Sequence, residues 1–147
     1  MKILWENEKM ENKEKIIQEV DSLLTNLSVD FNVPKPNYCI YNLTELKKLD
    51  EWKFNMGFSI SLIGMKPPFQ YDACFIHRCK GECCYITLLL KNNRNVSKKN
   101  IVHEFFHYKH YVESGYDWSH RTQAEVEEEE KRTVLETRKY MKKTKIF

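Results

Sequence analysis

His103-Glu104-Phe105-Phe106-His107 is the densest concentration of chemistry in the chain. Residues four apart lie on one face of a helix, one turn apart. If the segment is helical, both imidazoles can reach a single ion, and Zn²⁺ takes nitrogen ligands at tetrahedral positions. Glu104 is displaced around the helix by one residue. It can stand beside a zinc-activated water and accept its proton as general base without binding the metal. Four of the 5 histidines fall between positions 103 and 120.

A catalytic zinc site has three protein ligands and one open position, so a third ligand must come from elsewhere. Downstream lie Glu125, Glu127, Glu128, Glu129 and Glu130. A helix whose inner face follows Ala124, Val134 and Leu135 carries Glu127, Glu128 and Lys131 on that face. Glu128 is therefore the expected third ligand, with Glu127 next and Glu125 and Glu129 nearer the opposite edge. His120, in the loop between the two helices, is the rival. The remaining glutamates read as a solvated face near a helix N-terminus, where the dipole favours acids. His110 is expected to point away from the ion. His120, Tyr111 and Tyr116 are candidates to steady an oxyanion.

The elements that would position these residues can be read from periodicity and punctuation. Residues 6–29 read as a helix with Ile16, Ile17, Val20, Leu23, Leu24 and Leu27 inward. Pro34 and Pro36 end it. Tyr38–Tyr41 is a short strand and 44–53 a short helix. Residues 69–78 and 84–90 form a hairpin pair turning at Gly81, and the second arm is apolar enough to be a central strand. Ser97 can cap a helix that Gly115 stops, with Ile101, Phe105, Tyr108 and Val112 buried. A last helix spans about 123–141. This order predicts an α+β domain with one small mixed sheet: a single domain over 1–147, with an N-terminal helix about 6–29, a catalytic core about 37–141 and a short basic tail at 142–147.

The chain has 147 residues, 41% of them hydrophobic and 13% aromatic, which is enough to bury a core without staples. A formal net charge of +3 does not by itself indicate nucleic acid or a membrane surface. No stretch approaches the roughly 20 apolar residues of a membrane span. Ile3-Leu4-Trp5 is far short of a signal-peptide core, so a cytoplasmic protein with reduced thiols is expected. Cys74, Cys79, Cys83 and Cys84 cluster with His77 around the hairpin turn. They read first as packed thiols, second as a Cys79–Cys83 disulfide and third as metal ligands.

His103, Glu104 and His107, with a glutamate-bearing helix behind them, resemble the zincin metallopeptidases. The spacing to Glu127 or Glu128 is most similar to the gluzincin type, and the small size to its minimal single-domain (minigluzincin-like) form. Metzincins are disfavoured because Tyr108 to Glu113 lacks their following Gly and His. The resemblance implies a zincin-like half-domain that cleaves a peptide or protein substrate. One catalytic zinc ion would be held by His103, His107 and Glu128, with Glu104 as general base. It also implies that the strand over 69–77 binds an extended peptide by strand addition. Two alternatives stand beside it. An SprT-like protease would use His120 as third ligand and act on DNA-associated proteins, with Arg138, Lys139, Lys142, Lys143 and Lys145 touching phosphates. A non-catalytic binding module would use zinc only to tie two helices together. Latency, with the helix over 6–29 covering the cleft, is a further expectation for so small a chain.

Overall fold

The computed structural model describes residues 2–5, 13–43, 73–76, 85–91 and 97–145. The helix expected over 44–53, the turn at 79–82 and the side chains of Cys74, His77, Cys79, Cys83 and Cys84 lie outside the described residues. In chain order the described elements are β1 (Lys2–Trp5), α1 (Lys13–Phe31), β2 (Asn37–Leu43), β3 (Ala73–Ile76), β4 (Tyr85–Lys91), α2 (Lys98–Glu113) and α3 (Gln123–Thr144).

Helix dominates. The three helices hold 19, 16 and 22 residues against four to seven in each strand. Helix makes up 71% of the residues whose side chains are described. This corrects the expectation of an α+β domain organised on a small mixed sheet: the fold is mostly helical, and the strands are a minor layer laid against the helices. They run in the order β1-β2-β4-β3, with β1, β2 and β4 parallel and β3 antiparallel to β4. The strand at Lys2–Trp5 was not expected. Four residues carry no readable period, and their partner Cys39–Asn42 is far along the chain.

The core lies where the helices meet one row of strand side chains. Tyr38 and Ile40 of β2, Ile86 and Leu88 of β4, and Phe75 of β3 are all buried. They are spaced by two within each strand, as side chains on one face must be. The register lines Tyr38 up with Ile86 and Ile86 with Phe75. Against them pack Ile16, Val20, Leu24 and Leu27 of α1, at helical spacing, with Ile101, Val102, Phe105 and Phe106 of α2. Phe31, at the end of α1, joins the three helices. Its ring lies 5.1 Å from Phe106 and 5.7 Å from Tyr140 of α3.

Local chemistry sets the helix ends. The Ser97 hydroxyl accepts from the Asn100 N–H at the start of α2. The chain turns at Gly115, whose φ of +78° suits a residue without Cβ. Thr122 and Glu125 form a reciprocal capping box at the start of α3. Tyr108 donates to the Pro34 carbonyl at 2.7 Å, tying α2 to the segment after α1. No described helix is long and apolar enough to cross a membrane.

Candidate metal centre

Both histidines of the motif lie in the middle of α2 and turn the same way. His103 Nε2 and His107 Nε2 are 3.2 Å apart. One ligand atom from each of His103, Glu104 and His107 falls within 4.8 Å of the other two. The structure brings these three residues together. Their neighbours Ile101, Val102, Phe105 and Phe106 are buried and anchor the helix, so the polar groups are held by the packing beneath them.

The residue that faces the pair from α3 is Glu130. Its Oε1 lies 3.3 Å from His103 Nε2 and its Oε2 lies 2.9 Å from His107 Nε2. A tetrahedral ion about 2.0–2.1 Å from each ligand would hold those ligands about 3.3 Å apart. Two imidazole nitrogens and a carboxylate at 2.9–3.3 Å therefore fit zinc in both donor chemistry and spacing. The other side of the Glu130 carboxyl is open, its side chain being 54% exposed.

Glu129 lies behind His107. Both its oxygens are 2.8 Å from His107 Nδ1. An ionised carboxylate can only accept, so it fixes the proton on Nδ1 and leaves Nε2 free to face outward. Glu129 also meets His110 Nδ1 at 2.8 Å and accepts from the Thr133 hydroxyl. Arg121 Nη1 reaches it at 3.5 Å while its guanidinium stacks on the Trp118 ring at 3.6 Å. Among the described residues, Arg121 Nε is buried with no hydrogen-bond partner.

Glu104 lies on the sheet side of α2. Its Oε2 accepts from the backbone N–H of Phe75 in β3 at 2.8 Å. The Phe75 ring is itself wedged among Tyr108, Tyr111 and Trp118, with centroids 5.6–6.0 Å away. Burial pushes the Glu104 carboxyl up to about 7, against the pull of His107 and the Phe75 N–H. Burial and the neighbouring His107 hold His103 below the usual imidazole range. Burial alone would lower His107 too, but its bonds to Glu129 and Glu130 raise it to about 10. The bond from His107, outweighing burial, holds Glu130 below the usual carboxylate range.

Glu128 does not join this group. It is exposed and lines a 490 Å³ pocket with Glu113, Asp117 and Arg121 on the far side of Glu129. Glu125 is taken up in the capping box, Glu127 is exposed, and His120 is exposed in the loop before α3. The expectation that Ala124, Val134 and Leu135 mark the inner face of α3 is overturned: Leu135 is 64% exposed. The buried residues of α3 are Glu129, Thr133, Thr137 and Tyr140. Their i, i+4, i+8, i+11 spacing is a helical stripe, but a mostly polar one, so a search for apolar residues passes over it. The same stripe carries Glu129, and Glu130 follows one residue on. His110, expected to point away from the ion, stands outside the ligand group, in the buried interface with α3, where it meets Glu129 and Glu136. Tyr111 is buried against Trp118 and Tyr116, 5.2 and 5.8 Å away between ring centroids.

Comparison of the chain with protein-family models, curated proteins and solved structures gives no match.

Proposed function

We propose that the chain is a zinc-dependent metallopeptidase whose ion is held by His103, His107 and Glu130. The observation that carries this reading is the convergence of His103 Nε2, His107 Nε2 and the Glu130 carboxylate to within 2.9–3.3 Å, with Glu104 one residue around the same helix. Bound zinc would supply Lewis acidity, polarising the scissile carbonyl and acidifying the attacking water.

The chain's own residues would do the rest. Glu104, raised to about 7, can alternate near neutrality between accepting and donating a proton. Its free oxygen takes the proton from water as the water oxygen bonds to the carbonyl carbon. The same carboxyl then delivers that proton to the amide nitrogen as the C–N bond breaks. The Phe75 N–H holds the other oxygen, so the carboxyl does not swing away between the two steps. Glu129 keeps His107 in the Nδ1–H form. Among the described residues β3 is last in the strand order, and it lies beside Glu104. An extended peptide laid along it would bring its carbonyls past the base.

The test is Glu104→Gln in zinc-loaded protein, assayed against a library of internally quenched peptides. Zinc content should stay stoichiometric while hydrolysis falls about 10²–10⁴-fold, the usual worth of a positioned acid–base group. A Glu104→Gln variant as active as the parent, or a zinc-loaded parent that cleaves nothing in the library, overturns the reading.

A further inference from the structure

His110 is a buried polar side chain that this chemistry does not use. It sits one turn after His107 on α2, its side chain 2% exposed. Its Nδ1 lies 2.8 Å from Glu129 Oε2 and its Nε2 lies 2.6 Å from Glu136 Oε2. Thr133 Oγ1 is 3.2 Å from the same Nδ1. Four groups thus form a chain from the outer part of α3 to the metal centre: Glu136, His110, Glu129, His107. An imidazole buried between two carboxylates must be stripped of water, and an apolar side chain of similar size would fill the space at lower cost. Something other than packing is therefore served by a histidine here.

What it serves follows from the geometry of Glu129. A carboxylate gripped by His107 alone can still rotate about its last torsion, because terminal sp³–sp² torsions are broad. Oε2 of Glu129 is shared between His107 Nδ1 and His110 Nδ1. Two imidazoles one turn apart on a rigid helix fix the carboxylate plane, and Glu136 keeps the second imidazole from turning. The plane of Glu129 in turn sets the ring of His107, and with it the direction of Nε2.

We infer that His110 is a positioning residue for the metal centre: by clamping Glu129 it orients His107, and so sets how tightly the site holds zinc. This rests on the reading of His103, His107 and Glu130 as ligands. Partners that orient ligand histidines typically contribute 10–100-fold to metal affinity.

Three variants separate this from a purely structural role. His110→Asn keeps an N–H near the Nδ1 position and loses the contact to Glu136. His110→Gln carries its N–H near the Nε2 position and loses the contact to Glu129. His110→Leu loses both. Each metal-free protein is first melted, then titrated with Zn²⁺ against a chromophoric chelator, and the visible spectrum of the Co²⁺ form is recorded. His110→Gln and His110→Leu should raise the zinc Kd about 10–100-fold, with a shifted Co²⁺ spectrum. His110→Asn should stay within about threefold of the parent, although its melting temperature falls as far as that of His110→Gln. If His110→Leu does not fold, the Asn and Gln pair decides. Equal zinc affinity in Asn and Gln, or a loss that merely follows melting temperature, overturns the inference and leaves the ligand set standing. A parent that binds no zinc overturns the ligand set and this inference together.

Discussion

Glu129→Leu is the substitution to which the α2–α3 interface should be most sensitive. The Glu129 side chain is 11% exposed, and it accepts from His107, His110 and Thr133. These contacts are not lost equally. Thr133 keeps its second bond, to the Glu129 carbonyl at 2.9 Å, so its hydroxyl loses little. His107 is 15% exposed and can recover part of its loss to water. His110 cannot, since its side chain is 2% exposed and Nδ1 would have only Thr133 left. A buried donor left without its acceptor costs about 1–3 kcal/mol. For a chain of this length that is a drop in melting temperature of roughly 3–9 °C. Urea denaturation of the metal-free protein, with Glu128→Leu as control, measures it. The control lies on an exposed surface and should stay within about 0.5 kcal/mol of the parent. A Glu129→Leu cost below about 1 kcal/mol would refute the view that this carboxylate organises the interface.

Other expectations follow from single contacts. Glu130→Ala should lose stoichiometric zinc by elemental analysis while Glu128→Ala keeps it; the reverse pattern returns the ligand to Glu128. Gly115→Ala meets no atom within 4 Å of the added Cβ, so its cost is the left-handed backbone alone, about 1–2 kcal/mol by equilibrium unfolding. Tyr108→Phe leaves the Pro34 carbonyl without the Tyr108 hydroxyl and should cost about 1–2 kcal/mol in the same assay. Bonds from Lys35 and Tyr38 hold the Asp21 carboxyl below its ordinary 3.8. Its contribution is therefore present above that value and is lost as pH falls through the lower folded value. Asp21 is 46% exposed, which limits the effect to about 1 kcal/mol. Asp21→Asn should be less stable than the parent at pH 7, with the gap closing below about pH 4; a gap independent of pH would assign the effect to shape.

The parts of this architecture that rest on apolar period and on caps were legible in the sequence. α2 begins at Ser97 and ends before Gly115 as expected, because a hydroxyl acceptor and a residue free of Cβ act over a few residues. α1 buries Ile16, Val20, Leu24 and Leu27 from the expected stripe. The pair His103 and His107 meets because i, i+4 spacing on a helix leaves no other outcome. What failed was the rotation of α3. Apolar content points to Val134 and Leu135 as its inner face, while the chain buries Glu129, Thr133 and Thr137. A polar residue is buried when a partner awaits it, and the partners His107 and His110 are on another helix, out of reach of any local pattern. The helical weight of the fold is hidden in the sequence for a related reason. Short apolar runs such as Tyr85–Lys91 signal strands strongly, but their share of the described structure is small.

The polar inner face of α3 has a consequence for how the two C-terminal helices can dock. Two greasy helix surfaces can slide past one another by a turn at modest cost, because one methyl is much like the next. Here a slip of one turn, about 5.4 Å, would carry Glu129 away from both imidazoles and leave His110 and the carboxylate without their cross-helix bonds in a dry interface, while Thr133, on the same helix as Glu129, keeps its own. Each displaced group would forfeit its partner with no water to replace it. The pairing of these helices is thus all-or-nothing along its axis, as a key is against its wards. The spacing that brings Glu130 to the histidine pair is indexed by bonds that tolerate no neighbouring alignment.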